Sequence, residues 1–264
     1  VSSSDAEKGT AKVLTPRAMV CGVPASVVGC QLTWQDRDPI DVAGARAEHA
    51  AYRRAFTDAG VDLVVIEADE STPDCPFVED LLLDLGDGVR VLCRPGAPSR
   101  RPEGVAVAAA LRSLDDGIEP VLMPAPLTLD GGDVLVFRDR LYVGRSTRTS
   151  EAARRWLADT TGREVVAVDL RGVLHLKTGI VALDDDTLLA APGAVDLAPF
   201  GAGPTVLEHP ACNAVRLPDR LLVDPAVAPL LRARGFAVVG VAIPELAKAE
   251  AGLTCLSVLL HSGA

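Results

Sequence analysis

The sequence predicts an α/β fold: a closed, propeller-like ring of five strand–strand–helix–strand units around a central funnel. Three observations predict it. An apolar run, an acidic or glycine turn and a second apolar run recur four times, as LLLDLGDGVRVLC, DVLVFRDRLYVG, GIVALDDDTLLAA and NAVRLPDRLLVD. Asp and Gly at a tight turn between β-rich runs mark hairpins. Three of these hairpins are followed by a helical stretch and another strand, which makes the repeat one supersecondary unit. Finally, LTCLSVLL near the C-terminus is a strand without a local partner, placed to pair with the N-terminal strand. An ordinary open α/β sheet is the alternative on pattern alone.

The elements follow in order. AMVCGV is the first strand, GARAEHAAYRRAFTDAG its helix and VDLVVIEA the strand after it. After the first hairpin, RPEGVAVAAALRSL supplies a helix ahead of the strand IEPVLMP. After the second, Ser150 is the expected N-cap with Glu151 behind it, AARRWLADTTG ends at Gly162, and EVVAVDL is a strand. After the fourth, DPAVAPLLRARG starts on a proline and ends at Gly235, followed by FAVVGVAI. Residues 192–212, PGAVDLAPFGAGPTVLEHPAC, show little periodicity and read as loop. No linker divides the chain, so a single domain is expected over 11–264, behind a disordered lead-in at 1–10.

Composition narrows the function. Only 3% of the 264 residues are aromatic while 48% are apolar, so the core must be built from Ala, Val and Leu. No 18-residue apolar stretch occurs, so no membrane span is expected. VSSSDAEKGT lacks the basic start and apolar run of a signal peptide. A formal net charge of -10 argues against a nucleic-acid partner and suits a small cationic ligand. The 6 cysteines have no CxxC spacing, which points to free thiols in a reducing cytoplasm.

Groups able to do chemistry stand at equivalent places in the units. PDCPFVED before the first hairpin carries Asp74, Glu79 and Asp80. LDGGD before the second carries Asp130 and Asp133, LHLK before the third carries His175 and Lys177, and the last strand carries Cys255. In a ring these strand starts converge. Each has a plainer reading: Asp130 as a turn former, His175 as a satisfied core residue, Cys255 as a small hydrophobe. On a strand, adjacent Glu79 and Asp80 would point to opposite faces. Two basic stretches, RPGAPSRR and GRSTRTS, place Arg94, Arg100, Arg101, Arg145 and Arg148 after hairpins. Solvated loop arginines are the commoner case, but a guanidinium fork grips carboxylates. Acids for a guanidinium and arginines for an α-carboxylate sketch an arginine-like amino acid. Thiol and imidazole together suit nucleophilic attack at carbon followed by hydrolysis.

PDCPFVED, RPGAPSRR, LDGGDVL with VGRSTRT, LHLK and LTCLSVLL, in that order, resemble the dimethylarginine dimethylaminohydrolase family over about residues 44–262, with a poor match in 192–212. The resemblance implies the pentein fold and hydrolysis of N-omega-methylated arginines to citrulline and methylamine or dimethylamine. It also implies roles. Cys255 matches the nucleophile, His175 the general acid/base and Asp130 the acid orienting that histidine. Asp80 and Glu79 match the acids around the guanidinium, and Asp74 a further substrate contact. Arg100 and Arg148 match the arginines holding the substrate carboxylate, and the backbone at Ala249 a contact to the α-amino group. ASVVGCQLTW corresponds to the lid, with Leu32 the expected residue over the substrate. Glu250 departs from the family's aspartate, and the GDG hairpin is about two residues longer than in some relatives. No cofactor and no metal are expected. The expected partner is a small methylated arginine, with a homodimer the assembly to consider. The rivals are an arginine deiminase-like guanidine hydrolase and a non-catalytic pentein-type binding protein.

Overall fold

The computed structural model of the protein describes residues 15–114 and 116–261, so the expected lead-in at 1–10 lies outside the described residues. The first blade holds β1 (Arg17–Cys21), α1 (Val42–Thr57) and β2 (Asp62–Ile66). The second holds β3 (Leu82–Asp84), β4 (Arg90–Leu92), α2 (Gly104–Arg112) and β5 (Val121–Leu122). The third holds β6 (Val134–Phe137), β7 (Arg140–Gly144), α3 (Glu151–Thr161) and β8 (Val165–Val168). The fourth has α4 (Leu176–Gly179), β9 (Ile180–Ala182), β10 (Thr187–Ala190) and β11 (Thr205–Glu208). The fifth has β12 (Ala214–Arg216), β13 (Leu221–Val223), α5 (Ala228–Ala233) and β14 (Val238–Gly240). A single turn, α6 (Pro244–Ala247), leads to β15 (Val258–Leu260).

Five three-stranded sheets result, in the orders β15-β1-β2, β3-β4-β5, β6-β7-β8, β9-β10-β11 and β12-β13-β14. Each joins an antiparallel pair to a parallel third strand; in four of them a hairpin makes the antiparallel pair, and in all five a crossover brings in the third strand. In the first blade the antiparallel partner comes from the far end of the chain, with Arg17 opposite Leu260 and Met19 opposite Val258. The orphan C-terminal strand thus completes the first blade, as its sequence implies. Helix α3 starts where expected: the Ser150 side chain accepts the Ala153 N–H.

Strand alternation explains why the ring closes. Successive side chains face opposite sides of a sheet, so each sheet contributes to two cores. Leu82 packs with the first blade and Leu83 with the third; Val134 packs with the second blade and Leu135 with the fourth. Ile180 joins the core shared with the third blade, and Val181 the core shared with the fifth. The remaining core joins Val215 and Leu222 of the fifth blade to Val20, Tyr52 and Phe56 of the first. Each fully buried Leu or Val contributes roughly 1.5–3 kcal/mol of transfer free energy. Strands β3, β6, β9, β12 and β15 surround one central cavity. This is the five-bladed pentein ring. No helix among the described residues is long and apolar enough to cross a membrane.

Three details depart from the sequence reading. Residues 192–212 are not all loop: Thr205–Glu208 form β11, parallel to β10. The fourth blade lacks a crossover helix, so four residues at a sheet edge carry the signal alone. Cys255 is not on the last strand but in a single 3-10 turn, Thr254–Leu256, just before it. Glu79 and Asp80 likewise lie in a 3-10 turn, Val78–Leu81. With three residues per turn the two side chains stand about 120° apart rather than on opposite faces, and both are buried.

Candidate active site

Each blade enters its innermost strand through a short turn, and these turns meet at one end of the funnel. The second blade brings Val78–Leu81, the third Gly131–Asp133, the fourth α4 with His175 as its N-cap, and the first Thr254–Leu256. The fifth brings Asn213, directly before β12. The LDGGD glycines allow this crowding. A Cβ at Gly131 would overlap the Glu79 carbonyl, and one at Gly132 would stand 2.8 Å from Asp80 Oδ1 and 2.9 Å from His175 Nδ1. The turn-former reading of this motif is thus incomplete: the glycines are needed for close approach, and the acids that flank them, Asp130 and Asp133, are fully buried.

His175 is the hub. Its Nε2 lies 3.0 Å from Asp130 Oδ2, and its Nδ1 lies 3.8 Å from Asp80 Oδ1. Asp130 is itself held, accepting the Gly96 N–H at 2.7 Å. Asp80 Oδ1 accepts the Gly132 N–H at 3.0 Å, and Oδ2 pairs with Arg100 Nη1 at 2.5 Å. Asp133 accepts the Leu176 N–H at 3.1 Å and the Thr149 hydroxyl at 2.6 Å, fixing the first turn of α4 and with it His175. Burial alone would depress the imidazole pKa, but the Asp80 charge, the Asp130 hydrogen bond and the Asp133 charge outweigh it and raise it to about 9. The imidazole is therefore an imidazolium at neutral pH. Asp80 moves the other way: burial opposes ionisation, but His175 and Arg100 hold its pKa below the ordinary carboxylate value.

Cys255 is the partly exposed cysteine, whereas Cys21, Cys30, Cys75, Cys93 and Cys212 are buried. Its Sγ accepts the Gly252 N–H at 3.4 Å. Burial, then the charges of Glu79 and Asp80, push its thiol pKa up to about 12. The pair is therefore thiol and imidazolium, and a bound cation is required to offset those acids and draw out the thiolate.

A small cavity, open at its mouth, is lined by Asp74, Asp80, Arg100, Arg148, His175, Ala249 and Cys255. Asp130 stands behind His175, fully buried. Glu79 lines the central cavity instead, paired with Lys177 Nζ at 2.7 Å and accepting the Thr254 hydroxyl at 3.0 Å. The two arginines differ. Arg100 is buried and spends its donors on Asp80, Glu103 and the Phe77 carbonyl, the last at 2.8 Å. Arg148 is freer, with Nη1 4.0 Å from Asp130 Oδ2 and Nη2 donating to the Thr33 hydroxyl at 3.2 Å. Leu32 packs into the core between the fifth and first blades, and its neighbour Gln31 lines the cavity. Gln31 also donates its N–H to Asp74 Oδ1 at 3.0 Å. Ligand atoms of Asp80, Asp130 and His175 lie within 4.8 Å of one another, a spacing that could take a metal ion. Those atoms already satisfy each other and Arg100, so a metal would have to displace existing bonds.

Sequence reasoning passed over Asn213. Its Oδ1 accepts the Thr254 N–H at 2.9 Å, while Nδ2 donates to the Lys177 carbonyl and the Thr254 hydroxyl, each at 3.1 Å. It ties the His175 turn to the Cys255 turn. The signal was its position: it stands at the entry to the fifth blade, directly before β12, as His175 stands at the entry to the fourth, directly before α4. We expect Asn213→Ala to cost about 1–3 kcal/mol, because buried Thr254 and Lys177 backbone groups lose their partner. Thermal unfolding measures the loss, and iodoacetamide should alkylate Cys255 faster as its turn loosens.

Comparison with known proteins follows the same line. The family model described as N,N dimethylarginine dimethylhydrolase, eukaryotic, matches residues 30–196. An N(G),N(G)-dimethylarginine dimethylaminohydrolase of Streptomyces coelicolor is 35% identical over 238 residues, 87% of this chain and 91% of that protein. The enzyme of the same name from Pseudomonas aeruginosa is 32% identical over 252 residues, 90% of this chain and 97% of that protein. A crystal structure of a dimethylarginine dimethylaminohydrolase, a histidine-to-glycine variant in adduct with S-methyl-L-thiocitrulline, superposes with a TM-score of 0.86 at 29% identity, covering 94% of this chain and 100% of that one.

Proposed function

Because the chain belongs to the dimethylarginine dimethylaminohydrolase family, we propose that it hydrolyses asymmetric dimethylarginine and monomethylarginine to citrulline and dimethylamine or methylamine. The observation that carries the reading is one cavity lined by a thiol, an imidazolium held by acids, and Asp80. A guanidinium carbon is a poor electrophile because resonance spreads its charge. The cation must therefore be held against carboxylates and met by a thiolate rather than a thiol.

In this reading the guanidinium docks against Asp80, and its charge offsets the acids that keep Cys255 protonated. The thiol loses its proton to bulk water as the cation binds, His175 being already protonated, and the thiolate adds to the guanidinium carbon, giving a neutral tetrahedral adduct. His175 donates its proton to the dimethylamino nitrogen, the C–N bond breaks, and dimethylamine leaves. A cationic S-alkylthiouronium remains on Cys255. Neutral His175 then takes a proton from water as its oxygen adds to the same carbon. The C–S bond breaks with the electron pair returning to sulfur, and the second water proton passes to that thiolate, which leaves citrulline and restores the thiol–imidazolium pair. Asp130 holds the imidazole for both transfers. Glu79 acts one step away, by holding Lys177 and Thr254 beside the cysteine turn. The backbone at Ala249 meets the α-amino group, and Leu32 steadies the lid from beneath.

The α-carboxylate is assigned to Arg148 first, since Arg100 is largely committed to internal partners. Arg148→Ala should raise KM for asymmetric dimethylarginine by about tenfold or more, in keeping with loss of a charge-assisted pair. It should change KM for a simple methylated guanidine little. Equal losses for both would contradict the assignment. The cavity is built within one chain, so the chemistry requires no second copy. Six cysteines without a disulfide partner fit a reducing, cytoplasmic setting.

The direct test is product analysis with arginine, monomethylarginine and asymmetric dimethylarginine offered side by side. The reading expects citrulline and dimethylamine in equal amounts from the last. Ammonia from arginine, with dimethylarginine untouched, would favour the deiminase reading instead.

A further inference from the structure

We propose that Glu250 is a positioning residue that latches the lid over the cavity, an inference that rests on the hydrolase reading for its effect on turnover but not for the latch itself. Its carboxylate accepts three consecutive main-chain N–H groups: Thr33 at 2.9 Å, Trp34 at 2.5 Å and Gln35 at 2.7 Å. Consecutive N–H groups converging on one anion form a nest, and hydrogen bonds to a charged acceptor are among the stronger ones. The backbone is set for this contact. Glu250 follows α6 with φ 59, in the left-handed region that a glutamate rarely occupies, and its N–H closes onto the Ala247 carbonyl at 3.0 Å. A glycine would suit that backbone better, so the side chain has to justify the position.

The rest of the lid explains why this one carboxylate matters. Its first end is tied down where Glu70 accepts the N–H groups of Ala25 and Ser26, each at 2.8 Å. Its far end is tied down where Lys248 Nζ donates to the Pro39 carbonyl at 3.0 Å and the Asp41 N–H reaches Glu245 at 2.8 Å. Between these anchors, residues 31–35 belong to no helix or strand and are largely exposed, with Trp34 at 62%. Their remaining ties across the cavity are Gln31 to Asp74, Gln31 to Ser99 and Thr33 to Arg148. Asp74 and Arg148 are groups the proposed substrate would claim. Glu250 also borders the cavity, but its carboxylate faces the lid backbone, so its grip is independent of substrate. Release of Glu250 would free residues 33–35, while Leu32 stays packed on the core and both ends stay anchored.

The test is hydrogen exchange of the ligand-free protein, compared with Glu250→Gly and Glu250→Gln. The glycine variant keeps the left-handed turn and removes only the latch, so a fold defect and a latch defect separate. Exchange at Thr33, Trp34 and Gln35 should rise by about tenfold or more in Glu250→Gly. Ala25, Ser26 and Asp41 should stay at wild-type rates. Glu250→Gln, which keeps an acceptor without the charge, should fall between. Unchanged protection at 33–35 in the glycine variant overturns the latch. In turnover, Glu250→Gly should raise KM for asymmetric dimethylarginine by about tenfold, with kcat within about threefold, because substrate retention rather than bond breaking is lost. Released lid amides with an unchanged KM would overturn the link to substrate. A wild-type protein without turnover would remove the hydrolase reading and leave the exchange result to decide the latch.

Discussion

Cys255→Ser is expected to lower kcat on asymmetric dimethylarginine by on the order of 10⁴ or more while unfolding at nearly the wild-type temperature. Serine fills the same 3-10 turn and keeps an acceptor toward the Gly252 N–H, which in the wild type reaches Sγ at 3.4 Å. A small isosteric change of this kind costs about 1 kcal/mol or less. What is lost is ionisation. Burial and the charges of Glu79 and Asp80 hold the thiol pKa at about 12, and a guanidinium must bring it down before attack. A hydroxyl starts far higher, and the same cation cannot make an alkoxide of it. Binding should survive, since the acids and Arg148 are untouched. Isothermal titration with the substrate should give wild-type-like affinity alongside absent turnover. Activity near the wild-type level would remove Cys255 from the chemistry.

His175→Ala is expected to lower kcat by on the order of 10³ or more, because both proton transfers lose their carrier. It also has a signature that a passive core residue would not give. The folded-state pKa of about 9 lies above the ordinary histidine value of 6.5. The imidazolium therefore contributes stability that is fully present below about pH 6.5 and is lost as pH rises through about 9. Removing it strands Asp80 and Asp130 without their shared cation, a loss on the order of 3 kcal/mol at neutral pH. The gap in melting temperature between wild type and variant should therefore be largest near pH 6 and shrink by pH 10. A gap that is constant with pH would mean that His175 is neutral in the folded protein. By the same ionisation, wild-type turnover should decline above about pH 9, as the acid for the leaving amine is lost.

The ring was legible because its hairpins carry their own punctuation. Asp and Gly turns set four antiparallel pairs, and an unpaired C-terminal strand could only reach the N-terminal one. β11 was not legible, since four edge residues after a long loop hold too little period. The short turns that aim the site were hidden for another reason. They are set by docking between blades, as where Gly131 lies against the Glu79 carbonyl, and local sequence does not record such a contact. That is why Glu79 and Asp80 read as opposite faces of a strand, and why Asn213 passed unnoticed. The acids, the imidazole and the thiol were legible by type and order. Their charge states were not: the imidazolium follows from carboxylates of the second and third blades that outweigh its burial, and the neutral thiol from burial together with acids of the second blade.

The central claim is that Cys255 takes the guanidinium carbon from the amine, and acid quenching during turnover tests it most directly. Protein mixed with excess asymmetric dimethylarginine, quenched within the first turnovers and digested, should carry the substrate minus dimethylamine on the peptide containing Cys255. The adduct should accumulate further when water attack is slowed by Asp130→Asn. Citrulline formation with Cys255 unmodified at every quench time would contradict the account.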